Sequence, residues 1–226
     1  MFSENKLVIL DADGTTIDAF EAISKTFERH DMTLGDLSRF QKRHNLFKYL
    51  GGVKEFPKNL RRQLTKVERK RLILTLTEVY REEASLYSGM RDMINKIIDN
   101  PNTLVGVVTR NITNEPLETL SKLFLREGVE VDNLDFLIHI PLKEKKTDTF
   151  RSLREKYMVN PALSYVCGDE YKDYMAASHT GMHAMMASYG FESAERLTEK
   201  YEIPNELLAS TPEALSQRLL HALGIK

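Results

Sequence analysis

Apolar positions along this chain fall into two patterns. Short, nearly continuous apolar runs occur at Leu7-Val8-Ile9-Leu10 and at 103–108, 136–140, 163–166 and 182–186, with a shorter sixth at 207–209. Such a run has no polar face to leave in water. It therefore reads as a strand covered on both sides, as in a parallel sheet. Between the runs, apolar residues recur at helical spacing. Met90, Ile94, Ile97 and Ile98 form one stripe, Leu117, Leu120, Leu123 and Phe124 a second, and Phe150, Leu153 and Tyr157 a third. Asn100-Pro101 and Asn160-Pro161 punctuate two helix-to-strand turns. Thr211-Pro212-Glu213 starts a last helix, with Thr as cap and Pro in the first turn. From about Ser88 onward, strand and helix alternate. That predicts an α/β fold built on a doubly wound parallel sheet.

The stretch 19–86 breaks the rhythm. It has helical runs at 19–30 and 65–84, joined through Gly51-Gly52 and Pro57, and no convincing strand. It reads as an all-helical insert after the first strand. The core domain would then be 1–18 and 87–226, and the inserted domain 19–86.

Three segments with chemical potential sit at the ends of predicted strands, where open α/β sheets bind ligands. The first is Asp11-Ala12-Asp13-Gly14-Thr15. Two carboxylates one residue apart can converge on a hard cation such as magnesium, the second by side chain or backbone carbonyl, while Gly14 lets the chain turn. The second is Thr109-Arg110-Asn111, where a hydroxyl and backbone amides could hold phosphate oxygens. The third is Gly168-Asp169, with Asp173 four positions later and one helical turn on. That spacing suits one direct metal ligand and one outer carboxylate. Each segment alone also reads as an ordinary turn or helix cap. Together they put several carboxylates at adjacent strand ends, which is unfavourable unless a cation neutralises them.

Composition narrows the field. The 226 residues suffice for one large domain, or a core with a smaller insert, and the formal net charge is −1. No charge bias points to nucleic acid or a membrane. The only cysteine, Cys167, has no internal partner, which makes a reducing, cytoplasmic location the expectation. The first apolar run is too short for a signal-peptide core, and none approaches membrane-spanning length. His179 and His183 lack further ligands at zinc spacing, and Met185-Met186 reads as core.

In this order, the segments resemble the motifs of the haloacid dehalogenase superfamily. The match includes D-x-D-G-T at Asp11 to Thr15, followed by Asp18; a strand ending in Thr109; a lysine opening a helix; and Gly168-Asp169 with Asp173. Tyr87-Ser88-Gly89-Met90 resembles the re-entry into the core after a first-position helical cap. The resemblance implies a magnesium-dependent phosphatase acting on a small phosphorylated metabolite, phosphoglycolate-like or sugar-phosphate-like. Asp11 would be the nucleophile that becomes phosphorylated, and Asp13 the general acid and base. Thr109, Arg110 and Asn111 would bind phosphate, and Asp11, Asp13, Asp169 and Asp173 the metal. The acid at position 13 is the feature phosphotransferases keep and dehalogenases lack. Among Lys143, Lys145 and Lys146, the lysine is assigned to Lys146, four before the core-facing Phe150. Lys145 is the runner-up. The chain departs from the pattern at Thr16 and Ala19, in the hinge to the cap, and lacks the common Lys-Pro start of the lysine segment.

Between Lys42 and Arg71 the chain carries eleven Lys or Arg and two acids. This is a solvated helical face, or a basic surface attracting an anionic substrate; Arg43, His44 and Lys48 are candidate substrate contacts there. Aromatics are not interleaved as nucleic-acid stacking requires. Two other readings keep the same motifs. One is a phosphomutase or phosphonate hydrolase, the latter needing a cap lysine such as Lys48, Lys54 or Lys58. The other is a non-catalytic phosphate-binding protein. The pattern sets no oligomeric state.

Overall fold

The computed structural model describes residues 2–32, 41 and 66–225. Six strands form one parallel sheet: β1 (Lys6–Leu10), β2 (Thr103–Thr109), β3 (Phe136–His139), β4 (Ser164–Gly168), β5 (His183–Ala187) and β6 (Leu208–Ala209). The strand order is β3-β2-β1-β4-β5-β6. The six apolar runs of the sequence are these six strands. Leu10 is the register partner of Val107 on one side and Cys167 on the other, so β1 lies between β2 and β4. The chain winds outward from β1 first one way and then the other, which opens a crevice at the strand ends where the winding reverses.

Seven α-helices are present among the described residues: α1 (Ala19–Glu28), α2 (Lys66–Glu82), α3 (Met90–Ile98), α4 (Pro116–Arg126), α5 (Lys146–Lys156), α6 (Tyr171–Thr180) and α7 (Pro212–Leu223). The continuous apolar character of β1 follows from cover on both faces. Val8 and Leu10 join a core with residues of α1, α2, α3, α4 and α7, whereas Leu7 and Ile9 join a second core with Phe150 and Leu153 of α5 and Ala176 and Ala177 of α6. Each fully buried aliphatic side chain there is worth roughly 1.5–3 kcal/mol.

The stripes shift slightly from their expected places. In α3 the buried set is Met90, Met93, Ile94 and Ile97. In α4 it is Thr119, Leu120, Leu123 and Phe124, while Leu117 is 43% exposed. Leu117 follows Pro116 in the first turn, before the helix has rotated its apolar face onto the sheet.

Of the stretch 19–86, the described part contains α1 and α2 and no β-strand. Asp18 caps α1 by accepting the Glu21 N–H at 3.0 Å. Gly51, Gly52, Pro57 and the candidate contacts Arg43, His44, Lys48, Lys54 and Lys58 lie outside the described residues. The chain leaves the sheet and returns to it side by side: Ile17 bridges Leu86, Asp18 N donates to Ser85 O at 2.9 Å, and Tyr87 N donates to Thr16 O at 2.9 Å. The last turns of α2 are tied to α4. Arg126 donates to the carbonyls of Tyr80, Arg81 and Ala84, and Arg81 reaches Thr119 and Glu115, each at 3.0 Å. Asn114 N donates to Thr77 Oγ1 at 2.9 Å.

Candidate active site

Because β1, β2 and β4 are neighbours, the three motif segments that end them meet. Asp11 continues β1, and its N–H donates to Cys167 O of β4 at 2.9 Å. Its Oδ1 accepts the Ala12 N–H at 2.9 Å. Gly14 has φ +80°, and a Cβ there would come within 2.3 Å of Asp169 Oδ2. Only glycine allows both that turn and that approach.

Lys146 opens α5 and is buried, whereas Lys143 and Lys145 are exposed. Its ammonium lies 2.8 Å from Asp11 Oδ2 and also contacts Asp173 Oδ1. Asp173, in the first turn of α6, has its other oxygen on the Glu170 N–H at 3.2 Å. Both of its oxygens are therefore engaged within the protein. Asp169, directly after β4, accepts from Thr15 Oγ1 at 3.3 Å and from the Phe191 N–H at 2.7 Å.

Asp11, Asp169 and Asp173 each offer an oxygen within 4.8 Å of the others. Among the described residues, three carboxylates face one ammonium in a buried place, which leaves an excess of negative charge. Burial pushes the Asp11 carboxyl up to about 7, against the pull of Lys146, and pushes Asp169 well above the usual carboxylate range, with Asp11 adding to the effect. For Lys146, burial acts downward, but the Asp11 and Asp173 carboxylates outweigh it and hold the ammonium above its ordinary value. An all-oxygen donor set with surplus negative charge fits a hard divalent cation. Asp11, Asp169 and Asp173 are the grouped carboxylates that could hold one, and Asp173 also pairs with the Lys146 ammonium.

Asp13 stands outside that cluster. Its Oδ1 accepts from Tyr80 OH at 2.7 Å and from Asn111 Nδ2 at 3.0 Å, and its Oδ2 from Asn111 Nδ2 at 3.1 Å. Burial raises its carboxyl to about 6, and the Tyr80 and Asn111 hydrogen bonds oppose that. Burial and the neighbouring carboxylate push the Tyr80 phenol well above 10, so it remains a donor at neutral pH. Asn111 is fixed in turn, its Oδ1 accepting the Thr113 N–H at 2.9 Å. Thr109, fully buried at the end of β2, accepts the Asn111 N–H at 3.0 Å through Oγ1 and retains a hydroxyl proton to donate.

A cavity opens over these groups, lined by Asp11, Asp13, Arg110, Lys146, Asp169 and Phe191 among others. Arg110 Nη2 donates to the Glu144 carbonyl. The structure thus brings Asp11, Asp13, Arg110, Lys146 and Asp169 to one cavity, with Thr109, Asn111 and Asp173 packed against them by hydrogen bonds or an ion pair.

Two contributors carry no sequence signal. One is Tyr80, whose helical register with Leu72 and Leu76 marks it only as core. The other is the segment after β5. Phe191 contributes a backbone N–H to Asp169, and Tyr189 OH donates to Thr15 O at 2.8 Å. Glu192 accepts the Tyr171 N–H at 2.6 Å at the start of α6. Gly190 packs so closely that a Cβ would meet Gly14 O at 2.3 Å. The Tyr-Gly pair after a predicted strand was the one available hint, and it indicates a turn rather than a role.

Comparison with known proteins agrees with this architecture. A family model for haloacid dehalogenase-like hydrolase matches residues 8–187. No curated protein sequence matches the chain. Among solved structures, a predicted phosphoglycolate phosphatase from Haemophilus somnus superposes with a TM-score of 0.67 at 15% identity, covering 96% of this chain and 99% of that one. A predicted phosphatase from Clostridium acetobutylicum gives 0.61 at 19% identity, covering 97% and 100%. A candidate beta-phosphoglucomutase from Thermotoga maritima gives 0.62 at 19% identity, covering 96% and 99%. At these identities the likeness is one of fold.

Proposed function

Since the chain belongs to the haloacid dehalogenase-like hydrolase family, we propose that it is a magnesium-dependent phosphatase of a small phosphorylated metabolite, working through a phosphorylated Asp11. The observation that carries this reading is the split between two carboxylates of one turn. Asp11 shares the Lys146 ammonium at 2.8 Å and clusters with Asp169 and Asp173. Asp13 is held apart from that cluster by Tyr80 and Asn111. Two carboxyl groups in different surroundings can take different roles, one as nucleophile and one as acid and base.

In the first step an Asp11 oxygen attacks phosphorus as the bond to the leaving oxygen breaks, and Asp13 gives that oxygen its proton. In the second, Asp13 takes a proton from water as the water oxygen attacks phosphorus and Asp11 is released as carboxylate. The sum is one ester bond hydrolysed and one water consumed. Lys146 orients Asp11 and offsets charge that builds on the phosphoryl oxygens. Arg110 lines the phosphate's approach with its guanidinium as donor, and Thr109 and Asn111 lie packed behind it, Thr109 with a hydroxyl proton to donate. Asp11 and Asp169, with the backbone at Asp13, would hold magnesium, which would supply positive charge against the repulsion between carboxylate and phosphate. We place the enzyme in the cytoplasm.

The test is phosphate release from p-nitrophenyl phosphate and a panel of phosphorylated metabolites, with magnesium and with EDTA, beside Asp11→Asn. Metal-dependent release that disappears in Asp11→Asn is expected. Isomerisation of a sugar phosphate without release would replace this reading with a mutase. Release that survives Asp11→Asn would sink the covalent mechanism.

A further inference from the structure

The Asp13 carboxylate is not symmetrically held. Among the described residues, Oδ1 receives two donors, Tyr80 OH at 2.7 Å and Asn111 Nδ2 at 3.0 Å, whereas Oδ2 receives only the longer branch from Asn111 at 3.1 Å. A carboxyl oxygen that accepts two hydrogen bonds has no lone pair well placed to carry a proton as well. The transferable proton is thereby confined to Oδ2.

We propose that Tyr80 is a positioning residue for the acid and base step: by occupying Oδ1 it fixes the Asp13 carboxyl plane and reserves Oδ2 for the leaving group. This rests on the function proposed above. The proton on Oδ2 passes to the ester oxygen as its bond to phosphorus breaks, and Oδ2 takes a proton back from water in the second step. Tyr80 itself exchanges no proton with substrate.

The placement of Tyr80 gives the inference its weight. The side chain is fully buried, so its hydroxyl has no solvent alternative to Asp13. It comes from α2, far from the strand-end turns that supply the other groups. The turn that carries it is fastened to α4 through Arg126, which donates to the Tyr80 carbonyl at 3.2 Å, and through Arg81. Leu72, Leu76 and Val79 bury the same face of α2 in the core. Tyr80 is therefore a fixed post for Asp13.

A positioning role predicts a pattern across leaving groups. p-Nitrophenolate departs without help from an acid, whereas phenolate is more basic and gains from protonation. With purified full-length protein and magnesium, kcat/KM is measured for p-nitrophenyl phosphate and phenyl phosphate in the wild type and Tyr80→Phe. The expected result is a loss on phenyl phosphate at least about tenfold larger than the loss on p-nitrophenyl phosphate. The readout is a ratio within one protein sample, so a fraction of unfolded variant cancels. Leu219→Ala, a core truncation in α7 away from α2 and Asp13, should lower thermal stability and leave the ratio at its wild-type value. Equal losses on both substrates in Tyr80→Phe, or the same change of ratio in Leu219→Ala, would overturn the role of Tyr80 and leave the phosphatase reading standing. Release from neither substrate by the wild type would remove the function on which the inference rests, and the inference with it.

Discussion

Asp11 and Asp13 leave the same strand two residues apart, yet their surroundings have different origins. Among the described residues, the partners of Asp11 come from strand ends or the helix turns after them: Cys167 from β4, Lys146 from the start of α5 and Asp173, through Lys146, from the start of α6. Asp13 takes one partner, Asn111, from such a turn after β2, and the other, Tyr80, from the far end of α2. The surroundings of Asp11 are thus a product of the strand ends. Those of Asp13 are completed only when a helix of the stretch 19–86 is docked. One side should respond to changes in charge, the other to changes in docking.

The strongest way to break the comparison is at Lys146. Lys146→Met removes the ammonium paired with Asp11 and Asp173 from a buried group of carboxylates while keeping most of the side chain's volume. Catalysis should fall by about 10²–10³, the usual cost of losing a preorganised charge partner. Without added magnesium the variant should also be destabilised by roughly 3 kcal/mol, because Asp11 and Asp173 would then face each other unpaired. Lys145→Met is the control: its side chain is exposed, and neither activity nor melting temperature should move appreciably. If both variants behaved alike in a phosphate-release assay, Lys146 would have no special place beside Asp11.

Magnesium gives a smaller effect, with a sign that depends on pH. Asp11 has its carboxyl raised to about 7, mainly by burial, and Asp169 is raised as well. A group with a raised folded value stabilises the metal-free protein fully below its unfolded value, roughly 4, and that contribution is lost as pH rises through about 7. The metal-free protein should therefore lose stability between pH 5 and 8. At pH 8 Asp11 is mostly charged and the cation displaces fewer protons than at pH 5, so a hundredfold excess over its dissociation constant should add about 2.7 kcal/mol there. At pH 5 the same concentration must compete with protons and should add much less. Melting curves at both pH values, with and without magnesium, measure the difference. An equal shift at both would place the cation away from these carboxylates.

The contrast between the two sides also governs what the sequence could disclose. The strands were legible because Leu7, Val8, Ile9 and Leu10 have no exposed face, each alternate pair belonging to a different core. Lys146 could be preferred over Lys145 from spacing, since Lys146 and Phe150 lie one turn apart on α5 and both point inward. Tyr80 had no comparable signature. Its neighbours Leu72, Leu76 and Val79 make an ordinary buried stripe, and the reach of its hydroxyl to a residue near the N-terminus depends on how α2 docks. Phe191 was hidden for another reason, because it contributes a backbone N–H that any residue but proline could supply. Local pattern reports which face is buried; it does not report which distant group that face meets.

Arg126 offers the mildest test of the docking side. It holds carbonyls at the end of α2 from α4, that of Tyr80 among them, and makes no bond to a side chain of the site. Its side chain is about a third exposed, at 31%, so these charge-assisted bonds are partly screened. Arg126→Met should cost about 1–2 kcal/mol in a denaturant titration. The more telling readout is catalytic. If α2 is the support for Asp13, the variant should move the ratio of phenyl to p-nitrophenyl phosphate hydrolysis part of the way toward that of Tyr80→Phe, with little change on p-nitrophenyl phosphate itself. A variant that is destabilised but keeps the wild-type ratio would mean that Tyr80 is held by its own packing against Leu76 and the sheet. Docking through Arg126 would then matter for stability and not for the chemistry.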